Sequence, residues 1–182
     1  TKLKVISGIA HGKNIETLEG LETRPTIARV KEGIFSSIQF QIPGAKVLDL
    51  FAGSGQMGIE CLSRGAASCV FVDSSKEAVN VVTRNVKNCG LTAGAKIVNT
   101  RSQSYINSTA ENFDIVFLDP PYNMGILDEI MKKVYEIVNP GGIIIAESEL
   151  GWNLKEEING LTEIKRFKYG KVAVTKFQKE ID

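Results

Sequence analysis

The sequence predicts an α/β fold built on a doubly wound, mostly parallel β-sheet. Between residues 46 and 149, apolar strand-like runs alternate with helix-like segments. The runs are nearly continuous in Val, Ile and Leu, which is typical of strands buried on both faces of a parallel sheet. Repeated β-α units of this kind place helices on both sides of one sheet. The chain ends differently, in two strand-like runs that predict an antiparallel hairpin.

Seven strands are predicted in the main part of the chain: residues 46–51, 68–72, 95–99, 114–118, 142–147, 161–167 and 171–178. The last two flank Tyr169-Gly170, which predicts a tight turn. The clearest helix covers residues 76–88, where valines recur at helical spacing and Gly90 marks the end. Residues 127–138 carry a similar apolar stripe and predict a second helix.

A small appendage over residues 1–44 is predicted to precede one large domain over residues 45–182. Residues 3–7 and 13–17 read as two short strands around glycines, which predicts a β-hairpin. The helix that follows has an apolar stripe, and Thr26 can cap its start.

Composition and charge narrow the class of protein. With 182 residues, 43% hydrophobic and 24% charged, the chain is ordinary for a soluble globular protein. No apolar run approaches a membrane span and no signal-peptide region opens the sequence, so we expect a cytoplasmic protein with no membrane contact. The 3 cysteines form no CxxC pair, and neither a disulfide framework nor a metal site is predicted.

Basic residues concentrate at both ends of the chain. The net charge is +1, but residues 1–46 carry +3, residues 47–159 carry −5 and residues 160–182 carry +3. The helical stripe near the start leaves Arg29 and Lys31 toward solvent or a ligand. Such an asymmetry can steer a phosphate-bearing partner to one face. Solvated surface lysines are the alternative interpretation and stay open.

A glycine turn between a strand and a helix indicates a nucleotide-bearing cofactor. The segment from Val47 to Gly58 contains the pattern GxGxxG, and Asp73 ends the next strand about 20 residues on, where a ribose hydroxyl is expected. Asp49 decides which cofactor is favoured. A dinucleotide would bring a pyrophosphate near this carboxylate, whereas S-adenosylmethionine brings an ammonium and a sulfonium. Opposite charges attract in a partly buried cleft, so S-adenosylmethionine is favoured.

Residues 119–122 read Asp-Pro-Pro-Tyr, directly after the apolar run 115–118. Two prolines fix the backbone and remove its N–H donors, so the Asp119 carboxylate and the carbonyls are left as acceptors beside an aromatic ring. Acceptors beside a π surface suit a flat ring with an exocyclic amine. A plain strand-ending turn is the structural alternative.

These motifs together resemble a known family. The run from Asp49 to Ala66, followed by Asp119 to Tyr122, is similar to class I S-adenosylmethionine methyltransferases that modify amino groups. Arg24-Pro25-Thr26 with the following Arg29 to Glu32 narrows the resemblance to RsmD-type enzymes, which methylate the 2-amino group of a guanine in small-subunit (16S) ribosomal RNA. The resemblance covers essentially the whole chain and implies a seven-stranded Rossmann-like methyltransferase sheet.

The resemblance and the charge pattern together give three sets of site residues. The cofactor-binding set is Asp49, Phe51, Gly53, Gly55, Asp73, Ser74 and Ser102. The catalytic set, which would hold the target base, is Asp119, Pro120, Pro121 and Tyr122. The RNA-contacting set, which rests on the basic charge near the start of the chain, is Arg24, Arg29 and Lys31, with a structural role as the alternative for Arg24. One position departs from the family, because relatives commonly place an acid that reads the cofactor's adenine amine where Arg101-Ser102 stands here.

The implied reaction leaves alternatives open. Asp119 and the Pro120 carbonyl would orient the amine and stabilise its growing positive charge, while Tyr122 would stack on the base. The same tetrapeptide serves adenine-N6 methyltransferases, and a related one with Asn in first place serves enzymes that methylate glutamine amides. A non-catalytic RNA- or nucleotide-binding module is the alternative of another class. The resemblance leaves open whether the ribosomal RNA is bound free or within a small-subunit particle.

Overall fold

The computed structural model describes residues 3–18, 25–121 and 125–182, with backbone only for residues 25–27. Its helices are α1 (Pro25–Ile38), α2 (Gln56–Ser63), α3 (Lys76–Asn88), α4 (Ser102–Ser108) and α5 (Ile126–Ile137). Its strands are β1 (Lys46–Asp49), β2 (Ser68–Asp73), β3 (Ala95–Asn99), β4 (Phe113–Leu118), β5 (Val138–Glu149), β6 (Leu161–Tyr169) and β7 (Val172–Lys179). None of the described helices is long and apolar enough to cross a membrane.

The seven strands form one mixed sheet in the order β3-β2-β1-β4-β5-β7-β6. Strands β1 to β5 pair in parallel, and β7 pairs antiparallel with both β5 and β6. The predicted α/β class with a C-terminal antiparallel hairpin is therefore confirmed. The hairpin returns so that its second strand, β7, lies against the parallel part of the sheet.

Both faces of the sheet are buried, which explains the continuous apolar runs. Val47 and Ile115 face a core shared with α1, α2 and α3. The alternate residues Leu48 and Val116 face a second core shared with α4 and α5. Successive strand residues point to opposite faces, so each strand needs apolar residues at every position.

The helix α4 was not predicted from the sequence. It is seven residues long, and only Tyr105 and Ile106 are buried in it. Two apolar neighbours in a short polar segment produce no helical periodicity, so tertiary packing decides this element. The helix α1 begins at Pro25, one residue before the predicted cap Thr26, and proline is well suited to a first helical position.

The predicted N-terminal hairpin is present in minimal form. One antiparallel bridge joins Lys4 to Asn14, and the Ile15 N–H donates to the Leu3 carbonyl at 2.8 Å. Gly8 lies so close to α2 that a Cβ would come within 1.9 Å of the Ser63 carbonyl oxygen. The segment shares the core of the sheet's α1 face. The predicted division of the chain at residues 44 and 45 stays a prediction.

Candidate functional site

Four acidic side chains meet at the carboxyl edge of the parallel strands. Asp49 ends β1, Asp73 ends β2, Asp119 follows β4, and Glu147 lies near the end of β5. This edge is where open α/β sheets bind ligands. A cleft of about 290 Å³ opens there, and its polar walls include Lys31, Asp49, Gln56, Asp119, Glu147 and Tyr169.

Asp49 is a buried carboxyl at the floor of the cleft. Its Oδ2 accepts a hydrogen bond from the Gly58 N–H in α2 at 3.2 Å. Burial raises the pKa of Asp49 to about 7, the hydrogen bond from Gly58 lowers it in part, and the negative charge of Asp73 adds to the rise. A cation bound beside Asp49 would favour its charged form.

Asp73 holds the glycine turn in place. Its Oδ2 accepts from the Gly53 N–H and its Oδ1 accepts from the Ser75 N–H, both at 2.9 Å. Ser75 in turn caps α3, because its hydroxyl accepts from the Ala78 N–H at 3.2 Å. Each carboxylate oxygen keeps a free lone-pair site, so Asp73 can also accept from a hydroxyl of a ligand.

The predicted cofactor-binding residues divide between the cleft and its surroundings. The cleft lining contains Asp49, Phe51 and Gly53. Gly55 adopts a φ of +81°, and a Cβ there would lie 3.1 Å from Val82 of α3, so this glycine permits the turn to pack. The lining of this cleft does not include Asp73, Ser74 or Ser102.

The amide of Gln56 adds an acceptor that the sequence analysis did not select. Its side chain lines the cleft, and its buried Oε1 has no hydrogen-bond partner within the described ranges. A buried polar atom without a partner is costly, so it is expected to bind a ligand atom. The signal in the sequence was weak, because Gln56 is merely the first residue of the helix after the glycine turn.

Asp119, Glu147 and Tyr169 form a second cluster in the lining of the cleft. Asp119 stays open to solvent through the cleft, but protein atoms surround its carboxyl on the other sides. This burial, the contact with Glu147, and the charges of Glu147 and Asp49 raise the pKa of Asp119 well above its usual range. The Tyr169 hydroxyl donates to Glu147 Oε1. Burial and the contact with Glu147 also raise the pKa of Tyr169.

The sequence analysis did not select two members of this cluster, Glu147 and Tyr169. Glu147 ends a buried apolar run in the same way as Asp119, so the same logic of strand ends could have found it. Tyr169 carried no signal beyond the hairpin turn. Pro120 is buried and Pro121 is exposed, while Tyr122 lies outside the described residues.

The predicted RNA-contacting residues do not share one environment. Arg29 is exposed on α1 as predicted, whereas Arg24 lies outside the described residues. Of the two alternatives predicted for Lys31, solvent or a ligand, the structure excludes open solvent: the side chain is 3% exposed, its Nζ lies 3.2 Å from Glu60 Oε1, and it lines the cleft. Burial lowers the pKa of Lys31, and the adjacent charge of Glu60 opposes this change. The apolar stripe of α1 did not predict this burial, because the N-terminal segment covers this side of the helix.

Comparisons with known proteins agree with this arrangement. Residues 3–178 match the family described as Conserved hypothetical protein 95. The chain belongs to this family. It is the RsmD-type family of methyltransferases, so the predicted resemblance is confirmed.

Several relatives of the RsmD type are similar over almost their whole length. YlbH of Bacillus subtilis (strain 168), named as a candidate rRNA methyltransferase, is 35% identical over 97% of this chain and 99% of its own. Ribosomal RNA small subunit methyltransferase D of Haemophilus influenzae is 28% identical over 91% of this chain and 93% of its own. The structure of yhhF from Escherichia coli, described as a candidate methyltransferase, is 26% identical with a TM-score of 0.90 and covers 100% of both chains.

Proposed function

We propose that this protein transfers a methyl group from S-adenosylmethionine to the 2-amino group of a guanine in small-subunit (16S) ribosomal RNA. One observation carries the proposal: a buried carboxyl suited to a cation, Asp49, and an acceptor suited to an amine, Asp119, line the same cleft. The names of the RsmD-type relatives support the reaction class and the RNA.

The cofactor fits the wall around the glycine turn. Its ammonium and sulfonium groups would meet the Asp49 carboxylate and the unpartnered Gln56 Oε1. Backbone amides at the start of α2 attract its carboxylate. The Asp73 carboxylate keeps free lone pairs that can accept hydrogen bonds from the ribose hydroxyls of the cofactor. S-adenosylmethionine supplies an electrophilic methyl group on a positively charged sulfur. The residues of the chain bind the cofactor and orient the amine.

Asp119 and the Pro120 carbonyl orient the amine. The lone pair of a guanine 2-amino group is delocalised into the ring, so the nitrogen attacks well only when its N–H bonds are held by acceptors and its lone pair faces the methyl group. When the new C–N bond forms, the C–S bond breaks and positive charge appears on the nitrogen. The acceptors stabilise that charge, and the raised pKa of Asp119 makes its ionised form a stronger base for the proton that leaves.

The surroundings of the cleft suit an RNA. Arg29 of α1 is exposed, and so are Lys165 and Lys171 of the β6–β7 hairpin. The two elements are neighbours, because a Cβ on Gly33 of α1 would lie 3.5 Å from the Phe167 ring of β6. We call Arg29 and these two lysines the basic rim. Tyr122 would stack on the base once it leaves its helix.

The test measures the product and the role of Asp119 together. Small-subunit RNA and small-subunit particles are incubated with labelled methyl donor, digested and separated as nucleosides by mass. We expect 2-methylguanosine. Replacing Asp119 with Ala should lower kcat by about 100-fold or more while changing RNA affinity little, because the charge it stabilises grows only in the transition state.

The controls separate the alternatives. Glu156→Ala removes an exposed acid outside the cleft and should leave the rate unchanged. The product 6-methyladenosine would instead favour the adenine-N6 enzyme. Cofactor binding without methylation of RNA, DNA or particles would favour the non-catalytic module. Undiminished turnover by the Asp119→Ala variant would remove the role assigned to this residue.

A further inference from the structure

Glu147 is a functional group of the cleft that methyl transfer itself does not use. It belongs to β5, which lies beside β4 with Leu118 opposite Ala146. One residue further along the chain from each of these come Asp119 and Glu147, which lie close enough for the charge of Glu147 to raise the pKa of Asp119. Both line the cleft. Two acids side by side repel each other and lose solvation, so the arrangement is expected to serve a ligand.

A hydrogen bond from Tyr169 fixes the position of the Glu147 carboxyl group. The Tyr169 hydroxyl of β6 donates to Oε1 of Glu147, and Tyr169 lines the same cleft. No salt bridge found within residues 3–18, 25–121 and 125–182 involves Glu147. Its remaining lone pairs are therefore available to donors in the cleft rather than to a lysine or arginine of the described chain.

We infer that Glu147, held by Tyr169, selects guanine: its carboxylate accepts the N1–H of the base whose 2-amino group Asp119 holds. This inference rests on the proposed function. The Watson–Crick edge of guanine presents two adjacent donors, N1–H and the 2-amino group, and two adjacent acceptor side chains complement them. Adenine presents its amine beside N1, which is an acceptor, and N1 would meet the Glu147 carboxylate with its lone pair.

The test uses base analogues that keep the reacting amine. The target guanine, first located by product mapping, is replaced in synthetic RNA by 2-aminopurine or by 2,6-diaminopurine. Both retain the 2-amino group but carry a lone pair at N1, and they differ from each other at position 6. The wild-type kcat/KM should be lower for both analogues than for guanine by about 10- to 100-fold.

The Glu147→Gln variant should lose this preference. The Tyr169 hydroxyl would hold the amide oxygen, so the amide NH2 would face N1 and donate to its lone pair. We expect the guanine-to-analogue ratio of kcat/KM to fall to about one in this variant. In a Glu147→Gln, Tyr169→Phe double variant the amide is no longer oriented, and part of the preference for guanine should return.

The outcomes distinguish a failure of the inference about Glu147 from a failure of the proposed function. A wild-type enzyme that uses both analogues as well as guanine would overturn the inference without any variant. A ratio that Glu147→Gln leaves unchanged would do the same, and a lower melting temperature alone would then assign Glu147 a structural role. Formation of 2-methylguanosine in those experiments would keep the proposed function intact. A wild-type enzyme that forms no 2-methylguanosine would overturn both.

Discussion

Asp49 is a single residue whose burial lowers the stability of the ligand-free fold. Its carboxyl is almost completely buried, with one backbone hydrogen bond and no cationic partner among the described side chains. Burial raises its pKa to about 7, against a usual value of 3.8. The folded protein therefore holds a proton that the unfolded chain releases between these values, and the contribution of Asp49 to stability falls as pH rises through this window.

Replacing Asp49 with Asn should remove that penalty. An amide cannot ionise, yet its oxygen can still accept from the Gly58 N–H. The ligand-free variant should thus be more stable than the wild type at pH 8, by about 1 kcal/mol or more, and the difference should shrink toward pH 4. Chemical denaturation at several pH values measures it. A difference that does not depend on pH would contradict the assigned cause.

The same substitution should weaken binding of the cofactor. Loss of a charge partner for its cationic end should raise the Kd of S-adenosylmethionine by about tenfold. Calorimetry measures this affinity directly. S-adenosylmethionine should also raise the melting temperature of the wild type, and NAD serves as the control that should not. Stabilisation by NAD alone would exclude the cofactor assignment.

At the scale of elements, Glu60 ties the N-terminal segment and α1 to α2. Its carboxylate is fully buried and accepts from the backbone N–H groups of Ile6 and Ser7 at 2.9 and 3.0 Å. It also pairs with Lys31 of α1 at 3.2 Å and with Arg64 at 2.9 Å. Every partner satisfies part of one buried charge, so the elements that supply them dock together beside the cleft.

Breaking this cluster should cost far more than breaking an exposed pair. Lys31→Met leaves a buried carboxylate without one of its cations and should lower the free energy of unfolding by about 3 kcal/mol. The matched control is Lys133→Met, because Lys133 pairs with Glu136 across an exposed helical surface at 3.5 Å. It should change the stability by less than about 0.5 kcal/mol. Equal effects in urea denaturation would contradict the structural role of Lys31.

At the scale of the whole molecule, charge is distributed so that the cleft and its surroundings have opposite signs. Acidic side chains line the carboxyl edge of the sheet, while the basic rim of Arg29 and the hairpin lysines is exposed nearby. The small net charge of +1 hides this separation. Phosphate contacts of such a rim would supply affinity that depends on salt, and the cleft would supply selection of the base.

Arg29→Ala should therefore weaken RNA binding and flatten its salt dependence. Removal of one phosphate contact should reduce the slope of log K against log salt by about one unit. Cofactor affinity should stay the same. Lys132→Ala is the matched control, because Lys132 is exposed on α5, on the other face of the sheet. An unchanged salt slope for the Arg29 variant would place the RNA elsewhere.

Local patterns in the sequence were enough to predict the sheet and several of the residues that line the cleft. Strand periodicity and glycine turns depend on neighbouring residues, so they placed Asp49, Gly53 and Asp119 at strand ends without any knowledge of the fold. The RsmD-type resemblance added the expected reaction and a methyltransferase sheet that contains all seven strands. Helix α4 could not be predicted from local patterns. Its two buried side chains, Tyr105 and Ile106, find their apolar contacts only in the second core of the folded protein.

The tertiary structure alone decided which side chains share the cleft. Glu147 meets Asp119 because β5 lies beside β4, and Tyr169 joins them because the C-terminal hairpin returns along the sheet. Lys31 is buried because a segment distant in sequence covers α1 and brings it to Glu60. Periodicity along a chain records which face of an element is apolar, but contacts between distant elements set the charge and the hydrogen-bond partners of a buried group.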